Sequence, residues 1–386
     1  MKVSLPLLLL SVAAFGFGQA LKAVTIPNPS VPGSIQPNWA VAADGSALLS
    51  WVEPANPGGY TLRYAVRRGS AWSAARTVVA ARRLWRHPAE MPGLVSLSNG
   101  TLLAYWVEKG DDSSDTENIF VSSSPDGMKW TAPLMAHRDR SPVQHGLVSI
   151  VASGPQEASL LWLQALKGED GPVSLMRTIV GKDGKEIKEE QLDNDTCSCC
   201  PTSVVNTAKG LLVAYRDHTP QDIRDIAVLR FENGRWSEPK ILNPDKWEIN
   251  ACPVNAASAA AKDNRVAIAW YTESNDSPRV QIVFSSDAGT TFGKPAKVST
   301  GNTLGYASAA LNGEGGAFVS WIEEGASSAS VLVRSVSSAS VTGPVIKIAE
   351  GPRTSLGYPK LLGTGSEMWI AWGDSKSGVK TAQLKY

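Results

Sequence analysis

The chain has few cysteines, few histidines, no excess of charge of either sign and, past its start, no long apolar run. Lysine plus arginine number 37 against 36 aspartate plus glutamate, so no net field recruits nucleic acid or an anionic membrane surface. Four cysteines in 386 residues cannot staple a chain of this length; they exclude a disulfide-built scaffold but suffice for one special site. Beyond the first twenty residues nothing approaches the ~18 consecutive apolar residues of a membrane-spanning helix. Abundant instead are 13 tryptophans, 34 glycines and 24 prolines, a composition suited to many short strands joined by tight turns.

The first twenty residues carry a basic Lys2, an apolar stretch from Leu5 to Phe17 and the small-residue step Gly18-Gln19-Ala20. That pattern predicts a secretory signal over 1–20. No cysteine follows closely enough for lipid attachment. The expectation is a secreted or periplasmic protein, monomeric, with one domain over 21–386.

Self-similarity organises the rest. A small, apolar strand ending in an aromatic recurs seven times: ALLSWVE at Trp51, LLAYWVE at Trp106, SLLWLQ at Trp162, LLVAYRD at Tyr215, VAIAWYT at Trp270, AFVSWIE at Trp321 and MWIAWGD at Trp372. These aromatics stand 51 to 56 positions apart. Before each lies a short strand and a Gly, Asp or Asn turn; after most come a polar loop, an alternating strand and a last short strand. Four antiparallel strands per repeat, set around a ring, predict an all-β propeller of seven blades, or six if one unit is merged. The seventh copy stops after its third strand. The lone strand Leu21–Pro27 is expected to supply the fourth, so that first and last strands close the ring without an open edge.

Ser285-Ser286-Asp287-Ala288-Gly289-Thr290-Thr291-Phe292 fits the S-x-D-x-G-x-T-W/F pattern, and Ser124-Pro125-Asp126-Gly127-Met128-Lys129-Trp130 is a copy one residue short. On these motifs the chain resembles the sialidase-like, Asp-box (BNR-repeat) propellers. The Asp closes a hairpin and the Gly accepts positive φ, so the motif marks a fold and carries no chemistry.

Strand order sorts the loops onto two faces. The links from a second to a third strand, and from a fourth strand to the next blade, share one face. All four cysteines and all four histidines fall in such links: Cys197, Cys199 and Cys200 in TCSCCP, Cys252 in NACPVN, His87, His137, His145 and His218. Thiolate and imidazole are the ligands that copper and zinc favour. The spacing therefore nominates Cys197, Cys199, Cys200, Cys252, His145 and His87 as ligands of one copper or zinc ion, with Met91 as an added thioether if the ion is Cu(I). The alternative is disulfide pairing, the default for cysteines in an oxidising compartment. His137, beside Arg138, Asp139 and Arg140, reads as a solvated residue.

The resemblance implies a second chemistry. Sialidases use arginines on a substrate carboxylate, an Asp acid/base and a Tyr nucleophile activated by Glu. Matching residues on this face are Arg86, Arg216, Arg224 and Arg353, with Tyr306 and Tyr358 as nucleophile candidates and Glu53, Glu108 and Glu323 as partners. The family's Arg-Ile-Pro signature is missing: Thr25-Ile26-Pro27 has no arginine. A third reading is a non-catalytic module whose Trp85 and Trp247 contact a glycan or a protein. A small-molecule, glycan or metal ligand is expected at this one face.

Overall fold

The computed structural model describes residues 21–110, 116–166, 172–365 and 367–385; the predicted signal over 1–20 lies outside them. Seven antiparallel sheets follow one another along the chain, six built from consecutive strands and the last from the final three strands and the first. In the first and fourth sheets the outer strand is broken in two, as with Arg235–Trp236 and Lys240–Ile241, which both pair with Ile226–Glu232. The innermost strands are Ile35–Val41, Gly93–Ser96, His145–Gly154, Ser203–Thr207, Ser258–Lys262, Thr303–Leu311 and Lys360–Gly363. They neighbour one another in cyclic order, the last returning to the first. The seven-blade propeller is thereby closed.

Closure uses the strand the sequence nominated. Lys22–Ile26 pairs antiparallel with Gly378–Lys385 in a register running from Lys22 opposite Lys385 to Ile26 opposite Thr381. The first strand thus completes the last blade and covers an edge that would otherwise pair with other chains.

The repeated aromatics explain why the blades stack. Trp51, Trp106, Trp162, Tyr215, Trp270, Trp321 and Trp372 all sit on second strands and are all buried. Apolar clusters join adjacent blades: Leu48, Val52 and Leu62 of the first pack with Leu102, Ala104 and Trp106 of the second. An aromatic side chain burying 150–250 Å² contributes roughly 4–6 kcal/mol of transfer free energy, so these positions dominate the inter-blade core. Each buried indole also needs an acceptor. The Trp-x-Glu spacing supplies it: Trp51 Nε1 donates to Glu53 at 3.0 Å, Trp106 to Glu108 at 2.6 Å and Trp321 to Glu323 at 2.9 Å. Glu53 and Glu108 further pair with Arg63 at 2.9 Å and Arg82 at 2.7 Å.

The Asp boxes turn as expected. Asp287 Oδ1 accepts the Thr291 N–H at 2.9 Å and the Ser285 hydroxyl at 2.7 Å, while Gly289 takes φ +78°. A Cβ there would stand 2.2 Å from Leu212 Cδ1, so the position excludes a side chain on space as well as on conformation. No helix among the described residues is long and apolar enough to cross a membrane.

Candidate metal centre

The TCSCCP segment links the outer strand Glu186–Asp193 of the third blade to the inner strand of the fourth. Both ends are sewn down. Thr196 N–H and hydroxyl donate to Val173 O at 2.9 and 3.1 Å, and Cys197 N–H donates to Arg216 O at 3.1 Å. At the far end the Thr202 hydroxyl donates to Leu161 O at 3.0 Å. Between these anchors a turn at Ser198–Cys199 folds the segment back on itself. Pro201 then fixes its own φ and pushes Cys200 into extended backbone. The sulfurs meet inside that turn.

Cys197 Sγ lies 3.5 Å from Cys200 Sγ and 3.9 Å from Cys199 Sγ, and all three sulfurs lie within 4.8 Å of one another. Cys197 and Cys200 are buried, Cys199 is half-buried, and Cys252, on the next blade, is exposed. All four are free thiols. Cys252 Sγ sits 3.8 Å from Ser198 Oγ and beside the Cys199 sulfur.

Charge is arranged around them. Arg224 Nη1 donates to Cys197 Sγ at 3.4 Å, and the Arg216 guanidinium acts on both Cys197 and Cys200. The sulfur contacts with Cys199 and Cys200, and then the Arg216 charge, hold Cys197 well below the ordinary thiol range. Cys252 is lowered to about 6, chiefly by its contact with Cys199. The other two go the opposite way: burial pushes Cys200 up to about 12, and the contact with Cys197 pushes Cys199 up.

The histidines are placed differently. His87 shares a cavity of about 410 Å³ with Cys199 and Cys252. Its Nδ1 accepts the Ala89 N–H at 3.3 Å, which puts the ring proton of the neutral form on Nε2. His145 is fully buried, its Nδ1 2.9 Å from Glu117 O and its Nε2 3.5 Å from Asp139 Oδ2. His137 stacks on it at 3.9 Å between ring centroids, with Trp162 tilted against both. The solvated His137 of the sequence reading is therefore corrected: only 1% of it is exposed, because the inner strand of the third blade carries His145 onto its face. The sulfur group that converges within ligand range holds no histidine.

The arginines and tyrosines separate too. Arg216 is buried, and Arg224 serves Cys197. Arg86 stacks on Tyr60 at 4.7 Å and lines a second cavity of about 450 Å³ with Gln36, Met91, Tyr306, Arg353 and Tyr358. Tyr306 and Tyr358 stack at 3.9 Å. The Tyr358 hydroxyl donates to Val254 O at 3.3 Å, and burial pushes its phenol above the ordinary value. Trp247, read as exposed, is buried, edge-on to Tyr271 and under Arg216. Trp85 stacks on His87 at 4.7 Å and lines the cysteine-side cavity.

Three features of this face escaped the sequence. Gln36, Leu147, Val254 and Tyr306 all take φ between 50° and 57°, three early in an inner strand and Val254 just ahead of Ser258–Lys262. Non-glycine residues there carry strain, worst for β-branched Val254, and the strain gathers at one mouth. His218 lies between Asp195 at 2.7 Å and Asp222 at 3.2 Å, beside Cys252 in a third cavity of about 470 Å³. Glu90 and Glu117 are both buried, and their Oε2 atoms lie 3.2 and 3.4 Å from where a Cβ on Gly146 would stand.

Glu90 gives a pH prediction. Burial raises its carboxyl to about 8 from 4.5, against backbone hydrogen bonds from Leu147 and Val148 and the charge of Lys360. The protonated form belongs to the folded state, so its stabilising effect is complete below the ordinary value and is lost as pH climbs towards 8. Urea unfolding should show the wild type losing roughly 3 kcal/mol between about pH 5 and about pH 8, and Glu90→Gln losing much less. Equal slopes for the two proteins would contradict it.

A family model described as BNR repeat-like domain matches residues 61–365. No curated protein matches the sequence. Among solved structures the chain is similar to a protein of unknown function from Dyadobacter fermentans DSM 18053, at 13% identity over 95% of this chain and 99% of that one, TM-score 0.51. It is similar to a mutant of AofleA from Arthrobotrys oligospora, at 13% identity over 86% and 92% of the two chains, TM-score 0.50. The Hadza microbial sialidase Hz136 matches at 13% identity over 91% of this chain and 65% of that one, TM-score 0.46. At such identities the likeness is one of fold alone.

Proposed function

The chain belongs to the BNR repeat-like family, the sialidase-like β-propellers, and from that premise we propose that it is an exported propeller that holds one soft transition-metal ion through Cys197, Cys199 and Cys200. The observation that carries the reading is the group of three free sulfurs within 4.8 Å. Sulfurs each about 2.3 Å from one ion stand roughly 3.7–4 Å apart, close to the 3.5 and 3.9 Å found here. Copper(I) fits better than zinc. Zinc prefers four tetrahedral ligands, whereas the fourth sulfur, Cys252, lies outside the group. Three thiolates around a monovalent ion leave two negative charges, and Arg216 and Arg224 supply two positive ones.

Titration of the reduced protein with Cu(I) against a chromogenic chelator tests this, with thiol counting before and after. One ion per chain and loss of accessible thiols on loading are expected. Absence of metal binding together with absence of free thiols in exported protein would overturn the reading and favour disulfides.

The second cavity supports a separate reading, binding or hydrolysis of an acidic glycan. Arg86 and Arg353 line it with the stacked tyrosines, and a guanidinium takes a carboxylate bidentately. A panel of fluorogenic sialosides and uronides with an acidic-glycan array decides it; no turnover and no binding would end it.

A further inference from the structure

Cys252 is the odd member of the sulfur group. It comes from the link entering the fifth blade, it is exposed, and it touches the buried trio only through Cys199 and the Ser198 hydroxyl. It borders two cavities at once. The first, about 410 Å³, is the one that Cys199 also faces. The other, about 470 Å³, carries Asp195, His218, Asp222 and Arg224. Neither Cys197 nor Cys200 lines either cavity; both are 1% exposed.

An ion bound at the trio therefore has no direct path from solvent to two of its three ligands. Its path runs over Cys252 and Cys199. We propose that Cys252 is a transfer ligand: it takes Cu(I) from a small thiol complex in the 410 Å³ cavity and passes it through Cys199 to Cys197 and Cys200. This rests on the metal-site reading above and adds the route and the donor. The cavity size selects the donor class. It admits a tripeptide-sized thiol beside the Trp85–His87 stack but not a folded domain.

The exchange balances without a redox step. A copper–sulfur bond to the carrier breaks as the bond to Cys252 forms, and the carrier sulfur leaves as thiolate. Cys199 then displaces the second carrier sulfur, and its proton goes to that leaving group. Bonds to Cys197 and Cys200 form as the bond to Cys252 breaks, and the Cys200 proton passes to the released Cys252 sulfur, so Cys252 ends free of metal. Copper stays Cu(I) throughout. Associative exchange of this kind depends on access of the attacking sulfur, which only Cys252 and Cys199 have.

The test separates rate from affinity. Stopped-flow loading of the reduced protein from Cu(I)–glutathione is compared for the wild type and Cys252→Ser, alongside equilibrium competition with a chelator. The expected result is loading and unloading slowed by roughly ten-fold or more, with equilibrium affinity changed by less than about three-fold. Cys252 is exposed, so the variant folds. An unchanged loading rate would overturn the inference. So would a loss of affinity as large as that of Cys199→Ser, which would make Cys252 a permanent ligand. If the wild type binds no Cu(I) at all, the failure lies with the metal site itself.

Discussion

Replacing Cys197 by serine is expected to lower the Cu(I) affinity of the protein by roughly a thousand-fold. Structural zinc sites in small peptides bind their ion with about 10–16 kcal/mol over four ligands, and on that scale each sulfur is worth some 3–4 kcal/mol. Cys197 is the ligand to remove because the other groups point at it. It is nearest to both partner sulfurs, it takes the Arg224 N–H at 3.4 Å, and its own N–H is tied to Arg216 O at 3.1 Å. Serine keeps that backbone bond and the volume, so the apo variant should melt like the wild type. The rise in melting temperature on loading with Cu(I), present in the wild type by mass action, should be lost. The contrast with Cys252→Ser is the informative part: one change removes affinity, the other removes speed. Undiminished binding by Cys197→Ser would rule out the trio as the site.

The period of the sequence made the architecture legible, and the same periodicity hid part of the site. Seven aromatics on second strands, the turn residues between strands and the unpaired first strand were enough to predict blades, ring and closure. They also placed CSCCP and Cys252 on adjacent links of one face. Side-chain partners within those links depended on something no pattern reports: irregular register where inner strands begin. The shift between Gly146 and Ser149 and the left-handed Leu147 seat His145 on His137 and Asp139. Isolated turns such as Ser198–Cys199 are set by tertiary anchors at Val173, Leu147 and Leu161, none of which is near in sequence. Glu53, Glu108 and Glu323 misled for a different reason. A carboxylate two residues after a tryptophan resembles a catalytic partner, yet the buried indole N–H needs an acceptor first, and the strand period puts that Glu on the same side as the Trp. The burial of Arg216 was not legible either. Next to Asp217 it looks like half of a surface ion pair, but every residue from Leu211 to Arg216 is buried.

Arg216→Met is accordingly expected to destabilise the apo-protein by about 3–5 kcal/mol, chiefly through buried carbonyls left without a donor. The guanidinium donates to Asn255 O through Nε at 3.2 Å and Nη2 at 3.0 Å, to Tyr271 O at 2.8 Å and to Arg224 O at 2.6 Å. It also lies 5.0 Å over the Trp247 ring. Methionine fills the space and leaves three carbonyls without a donor, each a desolvation cost of about 1–3 kcal/mol that partial rearrangement would reduce. Arg216→Lys should recover little, because a point charge with three donors cannot reproduce a planar fork spread over three carbonyls. Urea unfolding of the apo forms measures this, and a loss under about 1 kcal/mol would contradict the role assigned to the buried guanidinium. The same substitution tests the coupling of scaffold to site. Arg216 joins the fourth-blade strand to the strand of Tyr271 and supports Arg224, which in turn holds Cys197. With its charge gone, Cys197 and Cys200 lose a cation that favours their thiolates, so Cu(I) affinity should fall by about 10–100-fold, as for other groups that orient metal ligands. That fall should persist under conditions where the variant is fully folded, which separates an electrostatic effect on the sulfurs from simple unfolding. A normal affinity in the folded variant would leave Arg216 as a scaffold residue and would put the whole compensation of the thiolates on Arg224.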